Sequence, residues 1–285
     1  MTKYIIIILL LWSNTLFGSD SVSYQRADSL AIAGDYLAAL VAYEQIIYQH
    51  DDVLIQAQSL LKKSYAQKAA HHYTDAIKSL FRINILSNWT DSFKYLILYE
   101  KALCYYLSHN YSRAKNELSK MKYAFADSTI ADKSIFLSIL VFNELHEWEQ
   151  AQSQYAKYML LNNLNDSFLS KYEELIHKNG FKKKKTAKTL SFIVPGLGQA
   201  YSGYAGRGFS SLLLHAGLAT YTYISFVQGY PISAFSTGIG YLISVYVGGA
   251  KYAQTLANKH NDAIQNEFKD TFKAYILKIE NQKKL

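Results

Sequence analysis

A run of 43 residues without Asp, Glu, Lys or Arg, from residue 208 to residue 250, constrains this chain most. The tetrapeptide "QGYP" at 228–231 divides the run into two segments, 209–227 and 232–250, of 19 residues each. A helix needs about 20 apolar residues to cross a bilayer, and tyrosines near the ends of both segments suit the interfacial belts of membrane proteins. The pattern predicts a transmembrane helical hairpin, and a buried pair of helices in a soluble protein is the alternative.

Small side chains recur at every fourth position of the second segment, at Ser236, Gly240, Ser244 and Gly248. Membrane helices pack through such residues because lipid supplies no hydrophobic drive for helix association. We therefore predict that this ridge contacts the first segment. His215 lies within the first segment, as either a packed, hydrogen-bonded side chain or a proton-handling group.

A short pattern returns four times between residues 34 and 158. In each copy an aromatic residue is followed three positions later by alanine, and successive aromatic residues are 37, 38 and 37 positions apart. Such a period predicts stacked supersecondary units. Here they are helical hairpins, in which the ring closes the turn and the alanine lets the second helix approach the first. The predicted packing residues are Tyr36, Ala39, Tyr73, Ala76, Tyr111, Ala114, Trp148 and Ala151.

This pattern resembles the tetratricopeptide repeat family, whose consensus has a glycine, an aromatic residue and a small residue in this order. Gly34 matches the glycine in the first copy, whereas His72, Asn110 and Glu147 replace it in the later copies. The resemblance covers about residues 22–160 and implies that a protein or peptide binds the concave face of the array. A rigid spacer without a ligand is the alternative.

The stretch after residue 192 is rich in glycine, as phosphate-binding loops are. A dinucleotide fingerprint, however, requires a third glycine where Tyr201 stands and an acidic residue about 20 positions later. No Asp or Glu occurs between Glu174 and Asp262. We therefore predict that the stretch binds no nucleotide.

The same stretch resembles the PGxGQxYxG signature that opens a small membrane domain of unknown function in exported Bacteroidota proteins. The resemblance covers about residues 188–260 and implies a membrane hairpin with no known reaction. Glycines permit tight bends and close backbone contact, and a glutamine can hydrogen-bond backbone groups left free there. The matching residues are Pro195, Gly196, Gly198, Gln199, Tyr201 and Gly203.

Charge and the chain start bear on localisation. Lys3 precedes an apolar stretch at 4–12, the pattern of a signal peptide. Lys182–Lys185 and Lys188 form a basic patch, but no nucleic-acid reader motif accompanies it, so no nucleic acid is expected as a partner. Export conflicts with the positive-inside rule for this patch. We give the signal pattern more weight, because both flanks of a hairpin lie on one side of the membrane.

Together these features predict an all-α protein: a tetratricopeptide-like helical-hairpin solenoid, a transmembrane hairpin and an amphipathic C-terminal helix that lies on the membrane or against the repeats. We expect no catalytic residues and no cofactor, because the eight histidines are scattered and neither a zinc-protease motif nor a G-x-S-x-G motif occurs. We also expect no metal, since the single cysteine, Cys104, cannot form a cysteine cluster. The predicted segments are 1–19 (signal peptide), 20–178 (about four repeats and a capping helix at 167–178), 179–188 (basic linker), 189–252 (hairpin domain) and 253–285 (C-terminal helix).

The function that these segments predict is that of a scaffold in the inner membrane. Its repeats face the periplasm and bind an unidentified protein or peptide, while the hairpin sits in the lipid bilayer. The alternative is a subunit of a membrane transport or protein-insertion complex in which the hairpin is the active part.

Overall fold

The structure, a computed structural model, describes residues 21–125, 134–163 and 168–282. These ranges consist of helices and their connections, and no strand occurs within them. The all-α prediction is therefore confirmed for the described part of the chain. The predicted signal peptide at 1–19 lies outside the described residues.

The chain divides into two compact units. The first contains the described residues up to Tyr172 together with the helical turns that start at Lys273, and the second runs from Glu173 to Phe272. The helices that begin in the first unit are α1 Ser21–Ile32, α2 Tyr36–Gln49, α3 Val53–Ala69, α4 Tyr73–Phe81, α5 Asp91–Leu107, α6 Tyr111–Ala124, α7 Ile135–Glu144, α8 Trp148–Leu161 and α9 Phe168–Ile176.

Consecutive helices contact one another from α1 to α8, and each predicted hairpin closes through the same turn. The first helix of each pair ends at a residue in the left-handed region, with φ of 83° at Gly34, 62° at His71, 60° at His109 and 58° at His146. The N–H of the following residue then donates to the carbonyl five positions back, for example from His72 to Gln67 over 2.8 Å. This is a Schellman helix end.

The turn corrects the predicted alignment of the copies by one residue. His71, His109 and His146 occupy the position of Gly34, two residues before the aromatic ring, because that position requires positive φ. His72, Asn110 and Glu147, which the alignment had placed there, instead precede the first residue of the second helix. They correspond to Asp35, whose carboxylate caps α2 by accepting from the Ala38 N–H.

Histidine holds a left-handed conformation that costs an L-residue about 1–2 kcal/mol. Two of these histidines are tied locally to the ring that follows. The Nδ1 atom lies 2.8 Å from the tyrosine hydroxyl in both the His71–Tyr73 and the His109–Tyr111 pair. A local hydrogen bond of this kind offsets part of the cost.

The repeat residues lie where the two helices of a pair meet. Ala39, Ala76, Ala114 and Ala151 are all 0% exposed. Trp148 is buried as well, and the three tyrosines at the equivalent position are half-buried. An alanine at such a crossing allows two helices to approach closely.

A charged pair is buried within the first unit. The Lys68 Nζ donates to the Glu100 carboxylate over 2.5 Å, linking α3 to α5, and the two side chains are 2% and 4% exposed. The same ammonium lies 4.9 Å from the centre of the Tyr65 ring. Removing one partner of a pair this buried strongly destabilises the fold, because the other charge stays desolvated.

The second unit contains a short helical layer followed by a helical hairpin. α10 begins at Lys184, so the predicted linker is partly helical. A turn at residues 228–230 separates α12 from a helix that opens as Pro231–Ser233 and passes through a π-helical stretch, Ala234–Ile239. The helices are α10 Lys184–Ile193, α11 Leu197–Tyr201, α12 Ala205–Val227 and α13 Gly240–Gln282.

The C-terminal segment is a continuation of the hairpin rather than a separate helix. α13 is unbroken from Gly240 to Gln282, so no boundary occurs at the predicted position after residue 252. Its last turns pack within the first unit, where the Tyr275 and Phe168 rings stack at 4.5 Å and Ile276 is 0% exposed. Of the two predicted placements for this amphipathic end, the structure therefore has the one against the repeats.

The left-handed turn generates a stability prediction. We expect His71→Gly to be more stable than His71→Ala by about 1–2 kcal/mol, because only glycine adopts positive φ without a steric cost. Gln45, exposed in the interior of α2, is the matched control. At that position the alanine variant should be more stable than the glycine variant by about 1 kcal/mol. Denaturant midpoints of the full chain in detergent measure both differences, and a His71→Ala variant as stable as His71→Gly would refute the assigned turn.

Candidate functional site

A cleft of about 640 Å³ opens between α3 and α5 in the first unit. Its volume is in the range of ligand pockets. Its floor is aromatic, since Trp89 and Phe93 are each 9% exposed and their rings lie 5.1 Å apart. Val53 and Leu54, at the start of α3, are 43% and 40% exposed at its edge. The cleft therefore presents apolar surface to solvent.

The sequence forms this cleft by starting two helices beside each other. The Asp52 carboxylate accepts from the Leu54 N–H over 2.7 Å and caps α3, and the Thr90 hydroxyl accepts from the Phe93 N–H over 3.4 Å at the start of α5. Helix α4 is only nine residues long, and the chain between it and α5 carries Trp89 into the space that remains.

The lining of the cleft is almost entirely uncharged. Of its 11 lining residues, Asp52 is the only charged one. Gln58, Asn88 and Ser92 supply uncharged donors and acceptors around the aromatic floor. An apolar pocket with a few polar groups at its rim is typical of ligand recognition.

Close backbone contacts explain the glycines of the PGxGQxYxG stretch in the second unit. A Cβ atom on Gly196 would lie 2.0 Å from the Gly208 carbonyl oxygen, and one on Gly198 would lie 1.8 Å from that of Ala187. Gly196 and Gly203 also have positive φ, of 94° and 90° respectively. The glycines thus let α10, α11 and α12 touch through their backbones.

Gln199 is the buried polar centre of this contact and is 2% exposed. Its Oε1 accepts from the Ser191 hydroxyl over 3.0 Å, and its Nε2 donates to the Gly249 carbonyl over 3.2 Å. The Ser202 hydroxyl lies 2.8 Å from the Gly198 oxygen and 3.3 Å from the Ala253 oxygen. One side chain therefore joins α10, α11 and α13.

The remaining motif residues surround this centre. The Tyr201 ring packs on a small cluster of Ala187, Ala253 and Ala257, and its hydroxyl accepts from the Lys183 N–H over 3.2 Å. Pro195 is half-buried at the end of α10.

The amide groups of this stretch are already engaged. The N–H of Leu197 donates to Val194, that of Gly198 to the Ser191 hydroxyl, and that of Ala200 to Gly196. A phosphate cradle needs such amides to point at the ligand. The geometry therefore favours a packing role for the stretch over phosphate binding.

The hairpin exposes large apolar side chains. Phe209, Phe226 and Ile232 are 62%, 62% and 82% exposed. Two polar side chains, His215 and Ser225, are buried.

One helix among the described residues, Pro231–Ile279, is long and apolar enough to cross a membrane, and 11% of its apolar window is buried. This fits the second predicted span and weakly indicates membrane association. α12, which carries the first predicted span, does not meet the same criterion. The crossing of α12 is therefore a proposal.

The predicted small-residue ridge does not contact α12. Ser236, Gly240, Ser244 and Gly248 are all exposed, and a Cβ atom on Gly248 would meet no atom within 4 Å. The inward small residues are others: Ala234 is 1% exposed, a Cβ on Gly238 would lie 2.4 Å from the Thr222 hydroxyl, and one on Gly249 would lie 3.8 Å from that of Ser211. The small residues that approach α12 therefore lie on a different side of the helix from the predicted ridge.

His215 is hydrogen-bonded through one nitrogen only. Its Nδ1 lies 2.6 Å from the Ser211 carbonyl oxygen, so Nδ1 carries the proton and Nε2 is an acceptor. Nε2 is buried and has no hydrogen-bond partner among the described residues. The backbone therefore satisfies one of the two ring nitrogens.

The rest of the described chain offers little reactive chemistry. Cys104 is 0% exposed, and burial raises the pKa of its thiol to about 12, so it is a buried apolar residue rather than a nucleophile. The described residues contain no group of three or more His, Cys, Asp or Glu side chains able to hold a metal ion.

No protein-family model, no curated protein and no solved structure matches the chain.

Several of these residues escaped the sequence analysis. The cleft joins residues about 40 positions apart, and its one visible signal is a tryptophan in the longer connection between the second and third repeats. Ser191 and Ser202 carry no signal, since serines are common throughout the hairpin. Gly208 was visible as a glycine close to the motif.

The glycine contacts predict which substitutions the second unit tolerates. Gly198→Ala should lower membrane-fraction abundance and protease resistance strongly, because its methyl group would overlap the Ala187 carbonyl. Gly248→Ala is the matched control, since the same methyl group points into open space. Equal behaviour of the two variants would contradict the packing role of the motif.

Proposed function

We propose that the protein is a membrane-anchored scaffold whose tetratricopeptide-like solenoid binds a protein partner on the periplasmic side of the inner membrane. The cleft between α3 and α5 carries this proposal. It combines an aromatic floor, an exposed apolar edge and a rim of uncharged polar groups. A peptide segment matches that combination, because it offers apolar side chains and backbone hydrogen-bonding groups together.

The binding mode follows from the lining. An apolar side chain of the partner covers Trp89 and Phe93, and Leu54 closes over it from the start of α3. The backbone of the partner then bonds the amides of Gln58 and Asn88. Aromatic residues at the centre of a contact commonly carry most of its binding energy.

The anchor is supported by the exposed apolar surface of the second unit. Outward Phe and Ile side chains in contact with water would be a large apolar patch of the kind that monomeric soluble proteins rarely expose. In a bilayer the same surface faces lipid, and the polar centre at Gln199 stays protected inside. We therefore propose that α12 crosses the membrane together with the helix after Pro231.

A transport or insertion subunit is the alternative, and the acceptor Nε2 of His215 favours it. A polar atom buried in an apolar helical hairpin is a common sign of an ion or proton path. Deleting residues 181–285 does not separate the two functions, because the end of α13 packs within the first unit. Point variants on the full chain do so. Partner capture that depends on Leu54 and not on His215 supports the scaffold, and the reverse supports the alternative.

The cleft generates a binding prediction. A photo-crosslinking amino acid at Ser92, which lines the cleft, should capture a discrete partner in membranes of the source cell, and one at Ser153 on exposed α8 surface should not. Adding Leu54→Asp should reduce capture at least about tenfold, because a charge replaces an apolar contact. Leu160→Asp, at a residue 79% exposed outside the cleft, is the control. Capture that survives Leu54→Asp would exclude the cleft.

The side of the membrane is a separate prediction. Ser112 is exposed on α6, and Ser112→Cys should react with a membrane-impermeant maleimide in cells whose outer membrane alone has been permeabilised. The parent chain is the control, because its only cysteine is buried. Labelling that appears only after the inner membrane is broken would place the repeats in the cytoplasm.

A further inference from the structure

We propose that the second unit binds the anionic headgroups of phospholipids through a cationic belt. The belt consists of Lys182–Lys185, Lys188, Arg207 and Lys251. This proposal rests on the membrane anchoring proposed above and names the lipid class at the edge of the anchor.

Basic side chains outnumber acidic ones in the second unit. Residues 175–261 contain nine basic side chains and no acidic one. None of the seven belt residues forms an ion pair with a described residue. The whole second unit, residues 173–272, has ten basic and five acidic side chains, and its acidic side chains all lie near its two ends. The unit therefore keeps an excess of five positive charges, and an external anion lowers the mutual repulsion of the belt.

The belt lies at one end of the hairpin. The Lys182 N–H donates to the Asn261 Oδ1 over 2.7 Å, which sets the start of α10 beside α13. Arg207, near the start of α12, donates to the Tyr252 hydroxyl. The opposite end of the hairpin, residues 228–230, has no charged side chain.

Charged and apolar surface meet along α10. α10 begins among the lysines and ends at exposed Phe192 and Ile193, the latter 69% exposed. The Tyr246 hydroxyl donates to the Phe192 carbonyl, so this end of α10 lies beside the uncharged run. A helix with lysines at one end and exposed apolar residues at the other matches the passage from headgroups to acyl chains.

Aromatic rings hold several of the cations at that level. The Lys182 ammonium lies 5.1 Å from the centre of the Tyr201 ring, and the Arg207 guanidinium lies 5.4 Å from Tyr204 and 5.8 Å from Tyr252. Tyrosine rings favour the interface of a bilayer. The cations are thus placed where lipid phosphates lie, and the adjoining exposed apolar side chains favour lipid over nucleic acid.

The test uses the full chain in detergent with equimolar phosphatidylglycerol and phosphatidylcholine, and native mass spectrometry counts the lipids retained. We expect the parent to retain phosphatidylglycerol at least about tenfold over phosphatidylcholine, since each basic residue near an anionic surface adds attraction. The preference should fall toward unity in the quadruple variant Lys183→Gln, Lys184→Gln, Lys185→Gln, Lys188→Gln. The same four positions changed to Arg should keep it, which separates charge from folding.

The control carries Lys78→Gln, Lys120→Gln, Lys122→Gln and Lys157→Gln, four exposed lysines of the first unit, and it should bind like the parent. Equal retention of both lipids by the parent, or an unchanged preference in the belt variant, overturns the proposal. So does a preference for a single-stranded oligonucleotide over phosphatidylglycerol in competition. Carbonate extraction tests the anchor separately: a chain that remains in the membrane pellet without lipid preference refutes only the belt, whereas an extracted chain refutes the anchor.

Discussion

Missing side-chain volume at helix crossings is the constraint on which both units depend. In the first unit it is alanine that allows close approach, at the same place in four successive hairpins. In the second unit it is glycine, whose replacement would put a Cβ atom about 2 Å from a carbonyl oxygen. The difference matches the two settings. Apolar burial drives the helices of the first unit together. In the bilayer that we propose for the second unit, helices gain mainly from close contact and buried hydrogen bonds.

The sequence could reveal helices, repeat period and the uncharged run because each is a local pattern. The pairing of Tyr73 with Ala76, and its recurrence, is visible without knowing what either residue touches. The exact position of the turn was harder to predict, since His71 and His72 are adjacent and only the backbone shows which one has positive φ. A glycine in the sequence indicates a positive φ, whereas a histidine does not.

Other features depend on contacts that no local pattern encodes. Small residues lie on both the exposed and the inward side of the second hairpin helix, so their spacing does not show that Gly238 rather than Gly240 approaches α12. The aromatic floor of the cleft combines the end of one repeat with the start of the next, and the polar centre at Gln199 bonds a carbonyl 50 positions later. For the same reason the amphipathic C-terminal end had two placements in sequence, and the stacking of Tyr275 on Phe168 distinguishes them.

The buried pair of Lys68 and Glu100 has a consequence for how the repeats assemble. Hairpins that share one apolar pattern can dock onto the wrong neighbour during folding, a failure characteristic of repeat proteins. Any docking that separates these two residues leaves a charge stranded in an apolar interior, a penalty of about 3–5 kcal/mol. Apolar contacts are interchangeable among the copies, but this charge pair is not. The pair therefore favours docking of the second hairpin onto the third over arrangements that separate the two residues.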